Sequence, residues 1–344
     1  MDGFASKIRP CAKNLRRCVV TGGGAWYNSI MKITVMTAGG TIACENKGGV
    51  LRPTAGTDAL LAAALAAGAP EAEYVVRPVM NKLSENMTGA DIADIAGEVR
   101  SALSRSDGVV VTHGTDTLAL TAAALSYALG LCDKPVAIAS ANVPPREAGS
   151  DAPLCFAACA AVAASGMKGV FACGVRGSAA YVHRASRLLP CLPYSGERHS
   201  LGGEYAVFSG GRLVRNASCR ELPDGLPAAD LSPLLLPSDV MLVCPSSLSA
   251  YPTVPEGVRA VIFPAFHSGT LPTGDRTFAA FCRACRERGI SLYAACSSPD
   301  VRYESALLLP SLGVTVLPRL APAAALVKLR LRLPPEPSLG GDVV

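Results

Sequence analysis

The chain has 344 residues, 50% of them hydrophobic and 17% charged, which is enough to bury a large core as one large or two medium domains. The net charge of +5 comes from arginines scattered along the chain, and aromatics make up only 5%, so a basic surface for nucleic acid is not expected. No uncharged apolar run reaches the length that spans a bilayer, so the chain reads as soluble.

Residues 1–30 hold Arg16, Arg17 and a Gly22-Gly23-Gly24 run without periodicity, and they precede a second methionine, Met31, at the start of the first strand. They read as a disordered extension or a mis-assigned start. The glycine run lacks the lysine of a phosphate-binding loop and the spacing of a dinucleotide fingerprint. Ile33, Val35 and Met36 mark a buried strand that ends in Thr37-Ala38-Gly39-Gly40-Thr41-Ile42-Ala43. The Gly-, Pro- and polar-rich stretch 45–57 predicts a mobile loop, and 58–67 a helix. After a strand at 74–79, Thr88-Gly89-Ala90-Asp91 resembles a capping box opening a helix with Ile92, Ile95, Ala96, Val99 and Leu103 on one face. Val109, Val110 and Val111 form a second buried strand, ending in Thr112-His113-Gly114-Thr115-Asp116-Thr117. A helix to Gly130, a strand at 135–139 and a helix at 152–165 follow.

This alternation predicts an α/β fold whose larger N-terminal domain has a mostly parallel sheet flanked by helices. Hairpins at 170–183 and 205–214 add antiparallel strands. A Pro-, Asp- and Leu-rich linker spans 221–237, and strands near 241–244, 259–263, 290–294 and 314–317 with helices near 277–288 and 321–331 predict a smaller C-terminal α/β domain. The expected boundaries are an extension at 1–30, domains at 31–220 and 238–334, and a disordered tail at 335–344. Thirteen dispersed cysteines, odd in number, with no secretory signal before them, point to a reduced, cytoplasmic setting. Cys282-Arg283-Ala284-Cys285 has CxxC spacing but sits in a helical pattern without a second pair, so packing is the expected role and redox or metal chemistry the alternative.

Two loops stand out because each follows a buried strand and presents hydroxyls. In open α/β sheets the carboxyl edge is where ligands bind. Glycine permits a sharp turn and close approach, and threonine supplies either a nucleophile or a helix cap. Hydrolysing a side-chain amide needs a nucleophile, a proton acceptor, donors for the oxyanion and anchors for the substrate's charged groups. A threonine hydroxyl must be activated by a neighbour, and backbone N–H groups beside glycine are suitable oxyanion donors. The plainer readings stay open: Thr41 capping its turn, Thr115 or Asp116 capping the next helix, Ser84 leading into a helix, and His113 as a satisfied core histidine.

The pair Gly39-Gly40-Thr41-Ile42-Ala43 and Val109-Val110-Val111-Thr112-His113-Gly114-Thr115-Asp116-Thr117 resembles the bacterial-type L-asparaginase family. The match continues through Leu83-Ser84-Glu85-Asn86-Met87-Thr88, His267-Ser268-Gly269-Thr270 and Pro322-Ala323-Ala324-Ala325-Leu326-Val327-Lys328-Leu329, covering roughly 31–332. The resemblance implies conversion of L-asparagine to L-aspartate and ammonia, with Thr41 as the nucleophile and Thr115 as the second catalytic threonine, beside Asp116. It implies that Asp116 binds the substrate's α-amino group and Ser84 its α-carboxylate, with Glu85 adjacent. It gives His113 no direct catalytic role. It places the Thr270 segment at a neighbouring subunit's site, hence a homodimer or homotetramer, and it implies no cofactor and no metal.

Two family features are missing, which marks a divergent subgroup. The relay lysine falls within His183-Arg184-Ala185-Ser186-Arg187-Leu188-Leu189-Pro190, where the alignment puts Pro190, and no lysine occurs from Gly169 through Val327. Arg184 or Arg187 can supply positive potential there but, as arginines, do not give up a proton near neutrality. The lid tyrosine is also absent, since no tyrosine lies between Thr41 and Tyr74. The alternative to an enzyme is therefore a non-hydrolytic homologue that binds asparagine or aspartate as a sensor or partner subunit. A dinucleotide-dependent oxidoreductase is disfavoured, because neither glycine loop has GxGxxG spacing.

Overall fold

The structure, a computed structural model, describes residues 7–8, 30–54, 57–130, 132–218, 228–298, 300–335 and 342. Except for Lys7, Ile8 and Ile30, the expectation for residues 1–30 lies outside them.

Nine strands form the larger sheet. In chain order they are β1 (Lys7–Ile8), β2 (Lys32–Gly39), β5 (Glu73–Lys82), β6 (Gly108–Thr112), β7 (Pro135–Ala139), β8 (Gly169–Arg176), β9 (Ala179–Arg184), β10 (Ala206–Ser209) and β11 (Arg212–Arg215). Their spatial order is β1-β5-β2-β6-β7-β8-β9-β10-β11. The run β5-β2-β6-β7-β8 is parallel, and β9 to β11 continue it antiparallel. Val109, Val110 and Val111 of β6 are wholly buried because helices cover both faces, which is why the strand is a continuous apolar run instead of an alternating one.

The helices fall on opposite faces. α1 (Asp58–Ala66) and α4 (Ala152–Ala163) share one apolar core. α2 (Gly89–Leu103) and α3 (Leu118–Leu129) share the other. Thr88 opens α2 with the expected capping box, accepting from the Asp91 N–H while the Asp91 carboxylate accepts from the Thr88 N–H. The chain thus leaves β2 towards one face and leaves the adjacent β6 towards the other, the switch in winding at which open α/β sheets bind ligands.

Within the stretch expected as a mobile loop, the chain forms a hairpin, β3 (Cys44–Lys47) and β4 (Val50–Pro53), paired antiparallel. Gly48 and Gly49, at φ 66° and 83°, make the tight two-residue turn that such a hairpin needs, so the glycine content encoded a turn. The hairpin leans on the loop before α4 through Asn46 Nδ2 to Glu147 Oε1 at 3.0 Å and an Arg146–Glu45 pair at 3.4 Å.

The smaller sheet is wholly parallel and runs in sequence order: β12 (Val240–Leu242), β13 (Ala260–Pro264), β14 (Ser291–Ser297) and β15 (Val314–Pro318). On one side lies α5 (Arg276–Glu287), whose Cys282 and Cys285 are buried with Phe263 and Phe278. The CxxC spacing therefore marks two packed thiols. After the short α6 (Glu304–Leu307), α7 (Pro322–Arg330) covers the other side and packs on α3, which joins the two sheets through one continuous apolar core. At that junction Lys328 Nζ meets the Asp342 carboxylate at 2.8 Å with both side chains fully buried, and Tyr127 OH donates to the same carboxylate at 2.9 Å. Asp342 thus packs against the fold, and residues 336–341, 343 and 344 of the expected tail lie outside the described residues.

Candidate active site

β2 ends in Gly39 and Gly40, at φ 98° and 78°, and turns into a short 3₁₀ segment, Thr41–Ala43. Both glycines are required by close approach. A Cβ on Gly40 would stand 2.3 Å from the Gly114 nitrogen, and one on Gly39 would stand 2.2 Å from the Lys82 carbonyl oxygen. The first threonine loop therefore lies directly on the backbone of the second, with the end of β5 on its other side. Gly114 closes the triangle, because a Cβ there would meet Ser84 Oγ at 2.4 Å.

Hydrogen bonds hold this three-loop junction. Gly40 N–H donates to Lys82 O at 3.1 Å, which removes it from the candidate oxyanion donors. Ser84, 1% exposed, donates through Oγ to Asp116 Oδ2 at 2.9 Å and accepts from the Asp116 N–H at 3.1 Å. Thr117 Oγ1 donates to Ser84 O at 2.8 Å. Thr41 and Thr115 are half-buried, while Asp116 and Glu85 are exposed. Thr41, Ser84, Glu85, Thr115 and Asp116 are thus carried by three loops in mutual contact at the carboxyl edge of the sheet.

His113 is fully buried. Its Nδ1 faces Gly114 O at 2.8 Å and must be the donor, because a carbonyl only accepts. Burial pushes its pKa down, against smaller opposing effects of that carbonyl and of Asp116, so the ring is neutral near pH 7. It is a core histidine, as expected, but its Nε2 has no partner among the described residues. Cys44 Sγ donates to Gly40 O at 3.3 Å, and burial followed by the Glu85 charge pushes that thiol's pKa up.

Residues 32–188 match the family model described as Asparaginase, N-terminal. This stretch is an asparaginase-family domain. The chain is 32% identical over 141 residues to an L-asparaginase of Thermococcus kodakarensis, covering 41% of this chain and 43% of that one. It is 39% identical over 146 residues to one subunit of the glutamyl-tRNA(Gln) amidotransferase of Methanopyrus kandleri, covering 40% of this chain and 31% of that one. The aligned stretch thus spans about a third to two fifths of these relatives' length. Among solved structures, the thermostable L-asparaginase from Thermococcus kodakarensis aligns with a TM-score of 0.69 at 22% identity, over 88% of this chain and 92% of that one. L-asparaginase I from Vibrio cholerae aligns with a TM-score of 0.68 at 22% identity, over 88% and 93%. At that identity the likeness speaks to the fold.

In the asparaginase domain, Arg184 does not serve the site. It is buried, its guanidinium lies over the rings of Phe171 and Tyr205 at 4.5 and 4.2 Å, and it donates to Lys168 O at 2.7 Å. Arg187 sits on a 3₁₀ turn, Ala185–Arg187, packed against α3, and Pro190 is exposed. The next residue, Cys191, does reach the site's field: burial pushes its thiol up, Arg198 opposes that, and Asp116 adds to it. Cys191 and the buried Arg198 do not stand out from sequence, where they sit in a Pro-, Ser- and Gly-rich stretch without periodicity. Thr270 lies on the other sheet, in a turn where Phe266 N–H donates to Thr270 O at 2.9 Å; among the described residues no hydrogen bond joins it to the three-loop junction. No group of three or more His, Cys, Asp or Glu is set to hold a metal among the described residues. Nor is any described helix long and apolar enough to cross a membrane.

Proposed function

We propose that this protein is an amidohydrolase releasing ammonia from a small amino-acid amide, with L-asparagine as its substrate and L-aspartate as its product. The observation that carries this is the backbone contact between the two threonine loops at a topological switch point, with Ser84 and Asp116 paired beside it. Thr41 Oγ1 attacks the amide carbon, the C–N bond breaks as the nitrogen takes up a proton, and ammonia leaves an acyl-threonine ester. Water then cleaves that ester, releasing the carboxylic acid and restoring the hydroxyl. Thr115 is the second catalytic threonine, relaying the proton with Asp116. The Ser84–Asp116 pair opens to take the zwitterion, Asp116 receiving the ammonium and Ser84 the carboxylate, with Glu85 at the rim. Thr270 serves the site of a second copy, so the working form is at least a homodimer, in a reducing cytoplasm that suits the free thiols of the described cysteines.

A second reading is favoured by the lack of lysine from Gly169 through Val327 and by the names of several relatives, which are amidotransferase subunits: an amide-binding sensor, or a chain that works with a partner. Ammonia release from asparagine and from glutamine, measured on the purified protein and on Thr41→Ala and Thr115→Ala, separates the two. Turnover that falls roughly 10³-fold or more in each variant supports the hydrolase. Binding without turnover in the parent protein supports the second reading and sinks the first.

A further inference from the structure

Arg198 is 5% exposed and lies at the carboxyl ends of β7 and β8. Its stem crosses Gly174 of β8, where a Cβ would stand 2.3 Å from Arg198 Cγ, so the strand carries glycine to admit it. One terminal nitrogen, Nη1, donates to the carbonyls of Ser195, Gly196 and Glu197 at 3.4, 3.1 and 3.3 Å. The other, Nη2, donates to Ser140 Oγ at 3.2 Å, while Nε is buried without a partner among the described residues. Among the described residues no carboxylate pairs with this guanidinium. A buried charge held only by neutral groups is costly, and arginine keeps its proton when buried. An apolar side chain would fill the space more favourably, so the charge itself calls for a reason.

The reason lies one strand away. Ser140 follows Ala139, whose carbonyl accepts the His113 N–H at 2.9 Å, so Arg198 is anchored one residue beyond the bond that holds His113, at the start of the second threonine loop. The titratable groups facing Arg198 are Cys155 on α4, His183 on β9 and Cys191 on its own loop. Asp116 opposes it on Cys191. Glu204 opposes it on His183, where His199 and Arg176 act in its direction, and Asp151 opposes it on Cys155.

The geometry points to Arg198 as a positioning residue for the Thr115-Asp116 loop: it clamps the 195–198 turn to Ser140, next to the Ala139 carbonyl that holds the His113 N–H, and brings a permanent positive charge to that strand end. This rests on the amidohydrolase reading. A nearby cation favours the anionic partner of every proton exchange in the relay, which a positioned lysine would also do while exchanging its own proton. Arg198 thus contributes the field without the proton transfer.

The test compares Arg198→Met and Arg198→Lys by kcat, KM and pH profile for asparagine. In parallel, alkylation of Cys191 is followed against pH by peptide mass. In Arg198→Met we expect kcat to fall about 10- to 100-fold with little change in KM. The limb of the profile that reports a deprotonated group should move to higher pH, and so should Cys191 alkylation. Arg198→Lys, which keeps the charge, should restore part of both. A folded Arg198→Met with unchanged kcat and pH profile overturns the proposal. So does equal loss in Met and Lys with unmoved Cys191 alkylation, which is the result of a purely structural role. If the parent releases no ammonia, the amidohydrolase reading fails and the Cys191 arm alone decides whether Arg198 sets the local field. Should Arg198→Met not fold, Ser140→Ala loosens the clamp without burying a new group; a fall in kcat of a few fold supports the proposal, and none overturns it.

Discussion

Both sheets of this molecule present loops at the carboxyl edges of parallel strands, yet the two edges are built differently. In the larger sheet β5 and β6 flank β2, so the chain reverses its direction of winding there and the loops after β2 and β6 part towards opposite faces. Gly40, Gly114 and Ser84 bring three hydroxyl-bearing loops together at that point. In the smaller sheet the strands follow one another in sequence order without reversal. Its edge closes on itself: Ser297 Oγ donates to Gly269 O at 2.6 Å, filling the turn that carries Thr270. Similar strands and glycine turns thus give a divided edge in one case and a closed one in the other, and the order of strands makes the difference.

The tie between the two regions is the most costly to cut. Asp342→Asn removes the carboxylate that pairs the buried Lys328, and breaking such a pair costs about 3–5 kcal/mol. Urea unfolding should show this as a lower midpoint, and a loss within measurement error would mean the two sheets do not depend on it. Gly40→Ala attacks the divided edge, forcing a Cβ into the Gly114 backbone at a positive φ. Overpacking and left-handed strain together predict about 3–4 kcal/mol, with ammonia release lost. Gly48→Ala, at a comparable φ with nothing within 4 Å, should cost only the strain, about 1–2 kcal/mol. Equal effects of the two would refute the claim that loop contact makes the site.

Sensitivity to acid should also divide along this line. His183, in the larger sheet, is buried against Ser200, and burial pushes its pKa down to about 4. The unfolded chain takes up that proton near pH 6.5 and the folded chain only near 4, so the unfolded state binds more protons between these values. Stability from this group is therefore complete above about pH 6.5 and lost as pH falls towards 4, a difference of about 3 kcal/mol. His113 acts in the same direction. Urea midpoints at pH 7.5 and 4.5 should converge in His183→Gln relative to the parent, and parallel curves would refute the assignment. The smallest effect is expected at the closed edge, where Ser297→Ala removes one hydrogen bond, worth about 1 kcal/mol. If Thr270 serves a second copy, KM should rise by no more than a few fold.

Much of the fold is legible in the sequence because the signals are local. Val109 to Val111 between polar turns read as a buried strand, and the Thr88–Asp91 capping box marks the start of α2 to the residue. Within 45–57 the hairpin is not legible, because Gly48-Gly49 reads as loop until its positive-φ pair is seen to close a tight turn. Thr41, Thr115 and Asp116 are legible as loop residues after strands. The pairing of Ser84 with Asp116, 32 residues apart, is not, since no spacing rule brings a 3₁₀ turn after β5 to a loop after β6.

The sequence by itself determined which segments become strands and helices and which loops carry hydroxyls, because backbone propensity and apolar periodicity act over a few residues. Only the tertiary structure decided that Gly40 lies on Gly114, that Arg184 turns into the core under Tyr205, and that Arg198 enters beside Ser140. Those placements depend on strand order and on which buried charges find partners, and both are settled by contacts between residues far apart in the chain.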